Sequence, residues 1–368
     1  MCSAIPSQRS SAQEKLFPPR VLATRFLSNA KKRFESLPVV CRTCQQHEGV
    51  QGCHVLMVSS RSRSVAEDPD AWAARMTENQ FSALSQHLNL TVLSEELRGL
   101  PHFLQFEKCK QFREEGVKVW CYNGWNTEHL LNLTRELVTK DMLSCAIQWA
   151  FPQAYYSVFA VALAYFKTAG LTEMSHAAVL TKLCGLMREG KYPARMSFLA
   201  DGLKPFDFVQ IAKFPAPSTL HYNEADGESV QTQIAQFLSA TRSLDLKKHK
   251  VKVRFECKGK SKRKKSISRQ EWLKVSQSLG PTSVFNLLYR KRIKANYQEI
   301  GTLQSEEING DELIAKLGRM VAALNFVNEA FIAKAIGMQG YCALVGGSKH
   351  KAAAVRRVPL IKHVLRGS

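Results

Sequence analysis

Apolar positions crowd together most densely between Ala154 and Phe166. Tyr155, Phe159, Leu163 and Phe166 recur at helical spacing, and Val158, Ala162 and Tyr165 fill the neighbouring stripe. A helix that is apolar nearly all round is buried in a bundle core or a membrane, and about 13 residues fall short of the roughly 20 that span a bilayer. Pro152 and Gln153 precede the run, Lys167 and Gly170 close it, and Gly170 suits a helix stop. The pattern therefore predicts the central helix of a bundle. Ser175 is placed to N-cap a second helix running through Met187, with Val179, Leu180 and Leu183 on one face.

The remaining pattern is mostly helical. Phe81, Leu84, Leu88, Leu93 and Leu97 predict one or two helices up to Arg98. Val117 to Tyr122 alternates and then meets Asn123-Gly124, which reads as a strand and turn. Helical spacing returns from Trp125 to Leu143 through Leu130, Leu133, Leu137 and Met142, with Asn126 or Thr127 as cap and Glu128 in the first turn. Pro193, Pro205, Pro215 and Pro217 mark a loop-like stretch with a short strand between Phe206 and Phe214. A helix is expected from Val230 to Arg242. A strand should follow, because Val251, Val253, Phe255 and Cys257 alternate with Lys252, Arg254 and Glu256. Helices are expected from Asn286 to Glu299 and from Glu312 to a stop at Gly337.

The segment from Ala154 through the Tyr155-Tyr156 pair, Gly170 and His176 resembles the HEPN domains (higher eukaryotes and prokaryotes nucleotide-binding). The stretch Leu287 to Glu299 is similar to the Arg-rich helix of that family. The resemblance implies a mainly α protein: a HEPN-like helical bundle with a small, basic, β-containing insertion. Residues 126–340 would form the bundle and 190–283 the insertion, preceded by a small α/β region at 76–125. Residues 1–75 would be disordered or an over-extended start, and 341–368 a basic tail. The resemblance further implies a nucleic-acid partner, RNA before DNA, a place in bacterial defence or toxin–antitoxin biology, and a possible homodimer. Family members that cut RNA carry an Arg-x4–6-His motif on the later helix. Here Asn296 and Tyr297 follow Arg290 and Arg292 where that His would stand.

Charge supports the same partner. The 368 residues carry a formal net charge of +21, which favours a polyanion without specifying a fold. The densest cluster, Lys258, Lys260, Lys262, Arg263, Lys264 and Lys265, can neutralise phosphates without reading bases; a solvated loop guarding an edge strand, or a nuclear-import-type cluster, would look the same. Arg290 and Lys294 would add to that surface. Arg356, Arg357, Lys362 and Arg366 make the tail basic, as a further nucleic-acid surface or a disordered end.

Three functional classes stay open: a nucleic-acid-binding accessory protein, a metal-independent ribonuclease using His176 or Tyr156 with Arg290 and Arg292, and a helical scaffold. The ribonuclease requires His176 or Tyr156 within a few ångströms of Arg290 or Arg292, in a cleft. Other chemistry finds little support. Cys41-x-x-Cys44 has zinc-knuckle spacing, but Cys53 and His54 are adjacent and converge poorly on one ion, so no metal or cofactor is expected. Gly346-Gly347-Ser348-Lys349 lacks P-loop spacing. The acid-poor, Arg-rich segment Leu16 to Phe34 has the character of a transit peptide, although disorder or a later start at Met57 or Met76 fits the weak periodicity better. Cys145, Cys184 and Cys342 read as reduced core thiols of a cytoplasmic protein.

Overall fold

A computed structural model of the chain describes residues 68–107, 113–171, 174–202, 207–209, 222–256, 268–297, 300–303 and 308–366, all within one unit spanning Val65–Ser368. In chain order the elements are α1 (Pro69–His87), α2 (Leu90–Arg98), α3 (Pro101–Leu104), α4 (Glu114–Leu137), α5 (Lys140–Thr168) and α6 (His176–Arg188). Strands β1 (Leu199–Asp201) and β2 (Asp207–Val209) follow, then α7 (Gly227–Glu256), α8 (Arg269–Leu279), α9 (Val284–Tyr297), α10 (Ile300–Leu303), α11 (Gly310–Gly347) and α12 (Ala352–Arg366). The fold is mainly α, and the two strands form one short antiparallel pair in which Ala200 faces Phe208.

The apolar run becomes the second half of α5. That helix begins a dozen residues earlier and carries Pro152 in its interior. It packs against α4, α9 and α11, which explains why nearly every side of it is apolar. Phe331 of α11 gathers Phe103, Phe106, Tyr165 and Tyr192 at ring distances of 5.0–5.9 Å. Among the described residues α11 is the one helix long and apolar enough to cross a membrane, and 78% of its most apolar stretch is buried inside the protein. Lys316, Asn325, Asn328 and Glu329 all lie buried along it, as suits a core helix with polar partners around it.

Two expected strands are helices. Val117 to Tyr122 lies inside α4, which runs straight through Asn123-Gly124. A Cβ on Gly124 would fall 2.6 Å from Val161 Cγ2 and 3.1 Å from the Ser157 carbonyl, so this glycine serves close helix approach and not a turn. Ser157 Oγ donates to the Gly124 carbonyl at 3.0 Å across the same contact. Val251 to Glu256 likewise continues α7. No Gly or Pro interrupts that sequence after Gly227, and extending an existing helix costs far less than starting an unpartnered strand.

The inward face of α4 also differs from the expectation. Leu130, Leu137 and Met142 are exposed, while Cys121, Trp125, Glu128 and Leu131 point inward. The chain breaks at Val138–Thr139 between α4 and α5 instead of continuing as one helix to Leu143. Of the cysteines read as core thiols, Cys184 is buried, but Cys145 and Cys342 are exposed. Residues 1–67, including the Cys41–His54 group and the segment 16–34, lie outside the described residues.

The tail is the largest correction. It forms α12, and Arg357 is only 2% exposed. Its Nη1 and Nη2 donate to the two carboxylate oxygens of Glu128 at 2.6 and 2.9 Å. Its Nε and Nη2 donate to those of Glu329 at 3.0 and 2.6 Å. Trp125 Nε1 and Tyr341 OH complete Glu329 at 2.8 and 2.6 Å, and Asn325 Nδ2 completes Glu128 at 2.9 Å. Glu128 is thus a buried partner of Arg357 and not a first-turn helix acid. Burial opposes the charge on Arg357, but the two carboxylates outweigh it and raise its pKa.

Gly337, at φ 79°, bends α11 where a helix end was expected, and the helix then resumes. In a straight helix Tyr341 would lie about 18 Å along the axis from Glu329. The bend turns its phenol back to hydrogen-bond that residue.

Replacing Arg357 by Ala leaves two buried carboxylates without a counter-charge. We expect it to cost about 3–5 kcal/mol in urea unfolding. A second prediction concerns pH. His87 sits edge-on to Phe198, and burial, with a smaller push from Arg195, lowers its pKa to about 4. Between about 6.5 and 4 the unfolded chain takes up a proton that folded His87 refuses, so stability falls as pH drops through that window. Unfolding midpoints of His87→Phe across this range are expected to show a shallower decline.

Candidate functional site

Three elements bring the sequence candidates together. Gly170, at φ 82°, reverses the chain after α5, and Ser175 caps α6 by accepting from the Ala178 N–H at 3.3 Å. This puts His176, the first residue of α6, beside the aromatic middle of α5. The α9 helix lies against α5 and presents Tyr289 and Arg292, one turn apart, to the same place.

Arg292 is the centre of the cluster. Its Nη1 donates to Tyr156 OH at 3.1 Å. The guanidinium carbon stands 5.3, 5.1 and 5.2 Å from the ring centroids of Tyr155, Tyr156 and Tyr289. Each contact lies within the distance at which a ring face attracts a cation. Tyr155 OH and His176 Nδ1 are hydrogen-bonded at 2.7 Å, and the His176 ring stacks on Phe159 at 4.1 Å.

Burial, aided by Arg292, lowers the His176 pKa. Burial also raises that of Tyr155, with Arg292 opposing and Tyr289 and Tyr156 reinforcing the rise. At neutral pH the pair is therefore a neutral imidazole against a neutral phenol, beside the positive guanidinium. No carboxylate among the described residues acts on Tyr155 or His176. Tyr156 is 42% exposed, so the cluster opens to solvent through an aromatic face and a cation. Such a pair can hold an anion and stack a planar ring. With Nδ1 engaged by Tyr155, Nε2 is the nitrogen His176 has left for a ligand.

The other candidates lie elsewhere. Arg290 is two positions from Arg292, about 200° round the helix, and donates instead to Thr241 Oγ1 of α7 at 2.7 Å, near Asp245. The pairing of Arg290 with His176 or Tyr156 is not found. Lys294 is turned away from the Arg292 face by the same geometry. Lys258, Lys260, Lys262, Arg263, Lys264 and Lys265 lie outside the described residues.

A cavity of about 650 Å³ runs along α6, lined by Gly170, Met174, Thr181, Lys182 and Glu189 among others, but His176, Tyr156 and Arg292 are not in its lining. Among the described residues no three His, Cys, Asp or Glu side chains converge as metal ligands. The roles of Tyr289 and Phe159 escaped the sequence reading. Tyr289 carried a usable signal, because it stands three residues before Arg292 on one helical face.

Removing the guanidinium removes one of the two effects that lower the His176 pKa. In Arg292→Ala, the imidazole C–H resonances of His176 are expected to titrate at a higher pH than in the wild type, followed by NMR. No protein-family model, curated protein or solved structure matches the chain, so the reading of this site rests on its own geometry.

Proposed function

We propose that this protein binds RNA through a HEPN-like helical bundle, with Arg292 and Tyr156 as its central contacts. The observation that carries the reading is the guanidinium held among three tyrosine rings beside an exposed phenol. A free phosphate would meet the N–H donors of Arg292, and an unstacked base would lie on Tyr156. The net charge of +21 supplies long-range attraction for the same polyanion. The exposure of Tyr156 favours binding over chemistry, since a ring open to solvent can stack a base directly.

A second reading, metal-independent cleavage, has one observation in its favour. A neutral His176 stands in the field of Arg292, so its free nitrogen is available as a base for a 2′-hydroxyl while Arg292 steadies the phosphate. The histidine comes from α6, not from the position after Arg292 on α9.

The test is a labelled single-stranded RNA pool titrated at rising salt, with chelator present. Arg292→Ala is expected to weaken binding about tenfold and to lower the salt slope by about one. Arg290→Ala should leave the slope unchanged. Cleavage that disappears in His176→Ala while binding persists would install the second reading. A wild-type protein that binds no RNA at any salt concentration overturns both.

A further inference from the structure

The Arg292 cluster is one end of a longer feature. On α5, Met142, Cys145, Trp149 and Tyr156 follow one another at spacings that keep them on a single face. All four are exposed, with Trp149 at 52% and Met142 at 60%. An exposed tryptophan two turns from an exposed tyrosine is costly to leave in water and is common where rings are recognised.

Beside this stripe α9 runs antiparallel to α5. Tyr289 lies by Tyr155 at 5.4 Å, Arg292 lies over Tyr156, and Lys291 Nζ lies 5.9 Å from the ring of Phe151.

We propose that this seam between the two helices, from Trp149 to Tyr156 on α5 with Arg292 on α9, is the track for a single RNA strand. It rests on the reading that the protein binds RNA and adds where and how. One base stacks on Trp149 and another on Tyr156. Arg292 takes a phosphate. Trp149 and Tyr156 stand seven residues apart, about 10.5 Å along the helix, or about three steps of a stacked strand. A strand of four or more nucleotides reaches both rings, and a shorter one reaches only one. A duplex, whose bases are already stacked and paired, gains nothing from them. The guanidinium of Arg292, held at Tyr156 at the end of the stripe, selects a polyanion over an apolar protein partner for this face.

The experiment uses the full chain and a labelled eight-nucleotide oligouridylate, read by fluorescence anisotropy. A duplex and an abasic ribose-phosphate chain of the same length serve as comparisons. Wild type should prefer the single strand, with a step in affinity between three and five nucleotides. Trp149→Ala should lose about tenfold for the oligouridylate and nothing for the abasic chain, whereas Trp149→Phe keeps most of the affinity. If wild type binds the oligouridylate and Trp149→Ala binds it equally well, the seam is wrong and the RNA reading stands. An equal loss on the abasic chain assigns Trp149 to the fold and overturns the stacking role. A wild-type dimer in sedimentation that Trp149→Ala dissolves, with RNA affinity unchanged, gives the stripe to a second copy of the chain. No RNA binding by wild type removes the seam together with the reading beneath it.

Discussion

The structure depends on one desolvated ion cluster. Glu128 and Glu329 are 1% and 0% exposed, and Arg357 is the counter-charge that both share. The guanidinium spends its planar fork on both carboxylates, and the remaining acceptor positions are met by Trp125, Tyr341 and Asn325. Members of this network come from α4, α11 and α12, and Asn325 extends it at 2.9 Å to Ser157 of α5. Such clusters contribute less to raw stability than apolar side chains of the same volume would. Their effect is on arrangement, because few other packings satisfy every donor and acceptor. Here that arrangement fixes α5, the helix that presents two of the three tyrosines of the site.

What the sequence made legible followed from periodicity. The apolar run, the Gly170 stop and the Ser175 cap were readable because local chemistry and tertiary structure agree there. Where they disagree, the reading failed. Gly124 and Val251 to Glu256 carried turn and strand signals that packing against Val161 and an unbroken helix override. Arg357 looked like one more solvated cation because nothing near it in sequence is acidic. Its partners lie 229 and 28 positions away. The site was half legible. Tyr156, His176 and Arg292 do come together, but the choice between Arg290 and Arg292 depended on which face of α9 meets α5, and the short motif does not contain that information.

Burial treats positive charge in three ways in this protein. Arg357 is neutralised by acids. Arg242, also buried, is satisfied largely by backbone carbonyls and hydroxyls, from Gly202, Gly280 and Ser276, and clasps α7 to α8 and the strand pair. Arg292 is surrounded by π-faces, which attract the cation without cancelling its charge. Of the three, only that last environment leaves a guanidinium both positioned and electrostatically available to a ligand.

Synthesis of the chain runs from Glu128 through Glu329 to Arg357, so the counter-ion is the last of the three to leave the ribosome. Until it does, a collapsed core would have to hold two carboxylates either protonated or hydrated. Closing the network joins positions 229 residues apart, a contact that forms only once α12 is present. A chain that stalls before α12 lacks the one guanidinium that Glu128 and Glu329 share, and its core carries two carboxylates without that partner.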